Sequence, residues 1–249
     1  MISLEHLAKT FNKGLTNENV AVRDVSLHIQ QSEYVIIVGA NGSGKSTLLN
    51  LIAGNIFSDN GKIIIDNNDV TRLRDFERSK FISRVFQNPL QGTAPDLSVL
   101  DNFRLAALRT QSKKLISGVN KNFEKLVKDH ISVLKLGLEN KIHQSMGTLS
   151  GGQRQALTLV MGTMDHCKVM LLDEPAAALD PRSAALVMEK ANEIIAINKL
   201  TAVLVTHNMK DALQYGGRLI LMKEGRIEKD FSGEQKNKLA QEELYHWFE

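Results

Sequence analysis

The sequence predicts an α/β protein with a parallel β-sheet at its centre. Three short apolar runs, rich in branched side chains, are typical of buried strands: Tyr34–Val38, Lys168–Asp173 and Ala202–Thr206. A glycine-rich loop joins the first run to helix-forming sequence at Leu48–Ala53, which ends at Gly54. A chain of 249 residues suits one large α/β domain, or a core with a subdomain.

The segment before the glycine-rich loop has the alternating pattern of strands that bury one face and expose the other. Apolar and polar residues alternate over residues 1–10 and again at Val25, Leu27 and Ile29. These patterns predict an N-terminal antiparallel sheet. A further strand is expected after the loop, at Lys62–Ile65.

The middle of the chain is helical in pattern. Arg72–Lys80 favours a charged helix, and Phe81–Phe86 is typical of a strand. Asp101–Arg109 and Asn120–Leu136 then carry helical periodicity, with few β-branched runs. We therefore expect a helical subdomain, residues 88–160, inserted in the α/β core.

The rest of the chain completes that core. We expect the core to comprise residues 1–87 and 161–222. A hairpin through Glu224-Gly225 closes it, and residues 223–249 supply the end of the hairpin and a charged helical tail.

The composition argues against several classes of protein. A formal net charge of +3 is too small to suggest nucleic-acid binding. The single cysteine, Cys167, rules out an internal disulfide and fits a reducing compartment. No apolar stretch is long enough to span a bilayer, and Met1–His6 lacks the pattern of a signal peptide. We expect a cytoplasmic protein that reaches a membrane only through a partner.

The glycine-rich loop matches a phosphate-binding pattern. Residues 39–46 carry the P-loop spacing Gly-x-x-x-x-Gly-Lys-Ser between a predicted strand and a predicted helix. Gly42 and Gly44 allow backbone N–H groups to point at a triphosphate. Lys45 is expected to reach the β- and γ-phosphates, and the Ser46 hydroxyl to ligate Mg²⁺. We expect these loop residues to bind the nucleotide: Gly39, Asn41, Gly42, Ser43, Gly44, Lys45, Ser46 and Thr47.

A second anion-binding geometry is predicted in the helical subdomain. Leu149-Ser150-Gly151-Gly152-Gln153 lies at the start of a predicted helix, Arg154–Met164. One chain needs only one phosphate cradle, so the second requires an explanation. An ordinary helix cap is the alternative, and these five residues alone do not decide between the two.

Polar residues follow three of the predicted strands and are candidate catalytic groups. Asp173 fits a ligand that holds Mg²⁺ through water, and Glu174 fits a base that polarises the attacking water. Gln87 could contact the metal or that water, and His207 could contact the γ-phosphate. A lone glutamine is more often a surface residue, and a lone histidine more often structural. Phe11 could stack on an adenine, although packing is the commoner role.

Taken together, these motifs resemble those of the ATPase subunit of an ABC transporter, a P-loop NTPase, over essentially the whole chain. Order and spacing match the family at the P-loop, Gln87, residues 149–153, Val169–Glu174, Ala178-Leu179-Asp180 and His207. The resemblance implies that ATP and Mg²⁺ are bound. The catalytic residues that it implies are Glu174, His207, Gln87 and Lys45. The metal ligands that it implies are Ser46, Gln87 and Asp173.

The same resemblance explains the second cradle. In the family, two copies close head to tail, so that residues 150–153 of one copy meet the ATP held by the other copy's P-loop. It also implies that Phe11 stacks on the adenine and that Asp180 borders the nucleotide. The chain departs from the family at Ala177, where a serine is common.

A narrower resemblance suggests an importer. Phe86–Pro95 and Phe231–Gln235 resemble one group of bacterial ATPases that work with a two-subunit permease and a solute-binding lipoprotein. Its solutes are aromatic amino acids or similar small molecules. The resemblance implies a location at the cytoplasmic face of the membrane, with a permease helix in a groove near residues 87–98.

The alternatives to an importer ATPase are an exporter ATPase, a soluble ATPase and a module that binds ATP without hydrolysing it. The ATPase of an ABC exporter remains an alternative within the transport class. Soluble ABC-type ATPases that act on ribosomes or DNA resemble tandem cassettes or carry long coiled-coil insertions, whereas this chain has one cassette and a short insert. A binding module without hydrolysis is disfavoured by the presence of both Glu174 and His207.

Overall fold

The computed structural model describes residues 1–109, 120–164 and 167–247, and the elements given below lie within these ranges. The strands are β1 (Ile2–Phe11), β2 (Asn19–Ile29), β3 (Tyr34–Val38), β4 (Asn60–Ile65), β5 (Asn68–Asp69), β6 (Ile82–Val85), β7 (Val169–Asp173), β8 (Thr201–Val205), β9 (Arg218–Lys223) and β10 (Arg226–Ser232). The α-helices are α1 (Lys45–Ala53), α2 (Asp75–Arg78), α3 (Val99–Ala106), α4 (Lys121–Ser132), α5 (Gly151–Met161), α6 (Pro181–Ile197), α7 (Met209–Gln214), α8 (Glu234–Asn237) and α9 (Gln241–His246).

In the part of the chain that the structure describes, the strands form two sheets. One is antiparallel, with the order β2-β1-β4-β5, and the other has the order β10-β9-β3-β8-β7-β6. Strands β9, β3, β8, β7 and β6 of the second sheet pair in parallel, and β10 returns antiparallel to β9. The predicted α/β fold with a parallel sheet and an N-terminal antiparallel sheet is confirmed. The antiparallel edge strand β10 belongs to the hairpin that the sequence predicts through Glu224-Gly225.

The parallel sheet separates two hydrophobic cores. Because successive side chains of a strand point to opposite faces, β3 contributes to both. Val35 and Ile37 pack with α1 and the antiparallel sheet. Ile36 and Val38 pack with α5, α6 and the buried faces of α3 and α4. The helices of residues 99–161 therefore cover the sheet face opposite to α1.

Two predicted helical segments differ from the structure. The helix expected over Arg72–Lys80 is wrong in extent, because only α2 is helical. The Ile63 amide donates to Thr71 Oγ1, at 2.9 Å, which holds the chain against β4 until just before α2. The tail is divided into α8 and α9 rather than forming one helix. No helix within the described ranges has the length and apolar character needed to cross a bilayer.

A buried arginine connects α2 to the helix that follows the P-loop. Arg78 is fully buried, and its guanidinium donates to the carbonyl oxygens of Leu51, Ile52, Thr71 and Leu73, at 2.6 to 3.1 Å. The carbonyls of Leu51 and Ile52 belong to the last turn of α1, where the regular i to i+4 hydrogen bonds end, and Leu51 also accepts from the Gly54 amide. Burial lowers the pKa of Arg78 to about 10, so the side chain stays charged at neutral pH.

Replacing this arginine should destabilise the fold. Arg78→Met keeps the bulk but leaves the four carbonyl oxygens without their donor, and charged hydrogen bonds contribute about 1.5–3 kcal/mol each, although not additively. We expect the free energy of unfolding to fall by about 3 kcal/mol, measured by urea denaturation. The exposed Lys80 is the control, and Lys80→Met should leave it nearly unchanged. Equal stability of the two variants would contradict this role of Arg78.

Candidate nucleotide-binding site

The glycine-rich loop leaves β3 and enters α1 in a conformation that requires glycine. Gly42 and Gly44 have φ angles of 80° and 99°, in the region that side chains disfavour. A Cβ atom on Gly44 would lie 2.3 Å from the Ala21 carbonyl oxygen. A Cβ atom on Gly39 would lie 2.2 Å from the Met222 carbonyl oxygen. The loop therefore packs backbone to backbone against neighbouring strands and leads directly into α1.

Lys45, the first residue of α1, lies under this loop. Its Nζ donates to the carbonyl oxygens of Gly39, at 2.7 Å, and Ala40, at 2.9 Å. The side chain is buried, and burial lowers the pKa of Lys45 while the nearby carboxylates of Glu174 and Asp173 act in the opposite direction. The Lys45 ammonium therefore lies close to the backbone carbonyl groups of the loop and to two carboxylates.

Both acids come from the end of β7, which pairs in parallel with β8. Asp173 ends β7, and Glu174 follows it with a φ of 45°, a backbone conformation that is uncommon outside glycine. The Glu174 amide donates to the Val205 carbonyl oxygen of β8, at 2.9 Å. His207, just beyond β8, places its Nδ1 at 3.1 Å from Glu174 Oε2. The structure thus pairs two residues that the sequence proposed separately as catalytic groups.

The carboxylate of Asp173 has a partner that sequence reasoning missed. Nη2 of Arg84, on β6, lies 2.6 Å from Asp173 Oδ2. The signal available in the sequence was a charged residue inside an otherwise uncharged predicted strand, Phe81–Phe86. Gln87, close after Arg84, is exposed, and its side chain makes no hydrogen bond within the described ranges. The structure therefore does not join Gln87 to Ser46 or Asp173.

Residues 150–153 form a helix cap in this chain. Ser150 is the N-cap of α5, its Oγ accepts from the Gln153 amide at 3.3 Å, and Gln153 Oε1 accepts from the Ser150 amide at 3.2 Å. A Cβ atom on Gly152 would lie 2.8 Å from Ser183 Cβ of α6. The helix cap, one of the two alternatives, is therefore present in the structure. Close packing against α6 also explains why a residue without a side chain stands at Gly152.

Two further predicted residues lie at the ends of secondary-structure elements. Phe11 is the last residue of β1 and is partly exposed, with Lys9 Nζ at 5.6 Å from the centre of its ring. Asp180 is the N-cap of α6, and its Oδ1 accepts from the Ser183 amide at 3.1 Å. Hydrogen bonding from the Ser183 side chain, and then from its amide, holds the pKa of Asp180 below its usual value.

Comparison with known proteins identifies the family. A family model described as ABC transporter matches residues 22–177, so the chain belongs to the ABC transporter family. It is an ATP-binding ATPase of that class.

Curated relatives align along nearly their whole lengths. The tyrosine transport ATP-binding protein of Clostridioides difficile is 38% identical over 252 residues, covering 100% of this chain and 99% of the relative. The phosphonates import ATP-binding protein PhnC of Lactococcus lactis is 33% identical, covering 98% of each chain.

Solved structures agree with the fold. A dimeric ATP-binding cassette in a post-hydrolysis state with ADP and phosphate superposes with a TM-score of 0.79 at 28% identity, over 93% of this chain and 98% of that one. A cassette of an ABC transporter in its ADP conformation superposes with a TM-score of 0.81 at 27% identity, over 99% and 98%.

Removing the loop's cation should weaken nucleotide binding and leave the fold intact. Lys45→Ala takes away the only side-chain cation that the loop holds within the described ranges. We expect the dissociation constant for ATP to rise about 10- to 100-fold, the scale for a lost charged hydrogen bond. Fluorescence titration measures this constant, and a melting curve checks folding. Lys62→Ala, at an exposed lysine, is the control. Near-native affinity in folded Lys45→Ala would contradict the P-loop assignment.

Proposed function

We propose that this protein is the ATPase subunit of an ABC importer that takes up an amino acid or a similar small solute. It works with separate permease subunits, with a second copy of itself and with an extracytoplasmic solute-binding protein. It acts at the cytoplasmic face of the membrane. The proposal is supported by relatives named for tyrosine transport and phosphonate import.

The observation that carries the catalytic part is the pairing of Glu174 with His207 beside the P-loop. The Glu174 carboxylate lies 3.1 Å from the His207 imidazole nitrogen and can accept a proton from an attacking water. Lys45 holds the β- and γ-phosphates, and His207 contacts the γ-phosphate. Loss of that phosphate on hydrolysis removes these contacts, so the closed state relaxes.

Magnesium fits the oxygen donors in the P-loop and near the ends of the parallel strands. Mg²⁺ prefers hard oxygen ligands, and Ser46 offers a hydroxyl, Asp173 a carboxylate and Gln87 an amide oxygen. Ser46 lies in the first turn of α1, and Asp173 ends the strand beside Glu174. Bound there, the ion neutralises charge on the phosphates.

Residues 150–153 serve a second copy of the chain. Ser150 is exposed at the N-terminus of α5, which has eleven residues and therefore a helix dipole able to favour an anion. Two copies related by a two-fold axis bury two such sites, each between one P-loop and one α5. The cap contacts orient Ser150 in the free chain, and the partner's γ-phosphate is its ligand in the dimer.

A groove between the sheet and the helical segment is the proposed permease site. It is lined by Arg84 of β6, by residues 92–94, by Leu105 of α3 and by Met161 of α5. We define its rim by two leucines exposed to solvent: Leu105 of the lining, at 52%, and Leu90, two positions before the lining residue Gly92 in the sequence, at 50%. These residues provide an apolar surface for a helix from the permease.

Loss of the proposed base should separate binding from chemistry. Glu174→Gln keeps the shape of the side chain but cannot accept a proton. ATP binding should persist while phosphate release falls about 100-fold or more. Removal of a negative charge near the γ-phosphate should also allow an ATP-bound dimer to accumulate. Glu189→Gln, at an exposed glutamate of α6, is the control. Hydrolysis by Glu174→Gln near the wild-type rate would remove Glu174 from this role.

A positive charge at residues 150–153 should prevent dimerisation without preventing ATP binding by the monomer. Ser150→Arg places bulk and positive charge where the partner's phosphate is bound, so ATP-driven dimerisation should be lost while monomer binding of ATP persists. Size-exclusion chromatography with a non-hydrolysable ATP analogue measures the first, and titration the second. Ser132→Arg, at the end of α4, is the control. If Ser150→Arg lost ATP binding as a monomer, the second cradle would act within one chain.

The transport part is tested by isolating the protein from its own membranes. Tagged protein extracted with mild detergent should retain a polytopic membrane protein, identified by mass spectrometry. Substitution of the exposed rim leucines, Leu90→Asp with Leu105→Asp, should release it, while Ile197→Asp, at an exposed site on α6, should not. Purification without any membrane protein would contradict a transport role.

A further inference from the structure

The carboxylate proposed to hold magnesium is itself held by an arginine. Arg84 stands in β6, where the other residues are Ile82, Ser83 and Val85, and only 13% of its side chain is exposed. Burying a guanidinium this far from water costs free energy that hydrogen bonds to its donors offset. Among the described residues its Nε has no acceptor, so Nη1 and Nη2 make these bonds.

Three acceptors engage the guanidinium of Arg84. Nη2 donates to Asp173 Oδ2, at 2.6 Å. Nη1 donates to Asn50 Oδ1 in α1, at 2.7 Å, and to Asn55 Oδ1 just beyond α1, at 2.6 Å. The arginine therefore joins the end of β7 to the helix that carries Lys45 and Ser46.

Strand register explains why Arg84 reaches Asp173. Strands β6 and β7 are parallel neighbours, and Arg84 is paired with Leu171. Side chains two positions apart on a strand share a face, so Asp173 lies on the same face as Leu171 and Arg84. That face is the one covered by α1, because Ile82, Val169 and Leu171 pack in the core that contains its buried residues.

The arrangement leaves one oxygen of Asp173 available. The guanidinium contacts Oδ2, and because Asn50 and Asn55 occupy Nη1, the fork does not bind both carboxylate oxygens. Within the described ranges, Oδ1 of Asp173 has no hydrogen-bond partner. A carboxylate fixed through one oxygen presents the other in a single orientation, which is how supporting residues tune metal ligands.

We propose that Arg84 is a positioning residue that orients Asp173 toward the magnesium of bound Mg-ATP. This inference rests on the proposed function, since it takes Asp173 as a metal ligand. Arg84 itself touches neither metal nor nucleotide. Its loss should reduce metal affinity in the nucleotide complex without reducing the affinity for metal-free nucleotide.

The test measures metal binding directly. Mn²⁺ replaces magnesium as the probe, and electron paramagnetic resonance follows its binding to protein saturated with a non-hydrolysable ATP analogue. Arg84→Met should weaken Mn²⁺ binding about 10- to 100-fold, the scale for lost outer-sphere support of a metal ligand. Affinity for the metal-free analogue should change less than about twofold. Arg84→Lys, which keeps a charge near Asp173 but loses the fork, should fall between, and it replaces Arg84→Met if that variant does not fold.

Arg109 is the matched control. It lines the same groove as Arg84, but its guanidinium donates to the backbone carbonyls of Ala106, Met161 and Gly162 and, among the residues that the structure describes, to no carboxylate. Arg109→Met should leave Mn²⁺ affinity unchanged. An equal loss in Arg109→Met and Arg84→Met would indicate a general effect on the fold and would overturn the proposal.

A double variant separates this proposal from the function on which it rests. In an Asp173→Asn background, Arg84→Met should have no further effect on Mn²⁺ affinity, because the carboxylate to be oriented is gone. Undiminished or tighter Mn²⁺ binding in Arg84→Met alone would overturn the positioning role while leaving Asp173 as a ligand. Unchanged affinity in Asp173→Asn alone would overturn the metal site itself and the proposal with it.

Discussion

Parallel pairing of β3, β8 and β7 is the constraint on which the site depends. In parallel strands the carboxyl ends meet at one edge of the sheet, so the P-loop after β3, His207 after β8 and Glu174 after β7 are neighbours by construction. The fully buried strands hold that edge rigid. The Glu174 amide donates to the Val205 carbonyl oxygen and so extends the pairing by one residue, to the proposed base.

The same edge explains which features could be predicted from the sequence. Buried strands such as Tyr34–Val38 are continuous apolar runs, and a P-loop has a fixed spacing, so both can be recognised without coordinates. The ends of elements are harder to predict from sequence. The start of α2, for example, depends on the hydrogen bond between Thr71 and β4, which joins separate parts of the chain. Arg84 was missed for a related reason, because strand register, and not local pattern, brings it to Asp173.

Residues 150–153 illustrate a limit of a different kind. The sequence left a helix cap and a phosphate cradle as alternatives, and the cap is present in the single chain. The two are compatible, since a capped helix still offers its N-terminus to an anion. The packing of Gly152 on Ser183 fixes α5 against α6, whose N-cap is Asp180. The N-termini of α5 and α6 are therefore packed together, and the proposed function places a second copy against them.

The central claim is that one chain carries a binding site and two chains complete the catalytic one. The most direct test is the ATPase activity per molecule of purified protein, measured as phosphate release at saturating Mg-ATP over a wide range of protein concentrations. If two copies form the site, activity per molecule rises with protein concentration and reaches a plateau once nearly all molecules are dimeric. Activity per molecule that stays constant down to concentrations at which the protein is monomeric would contradict the account.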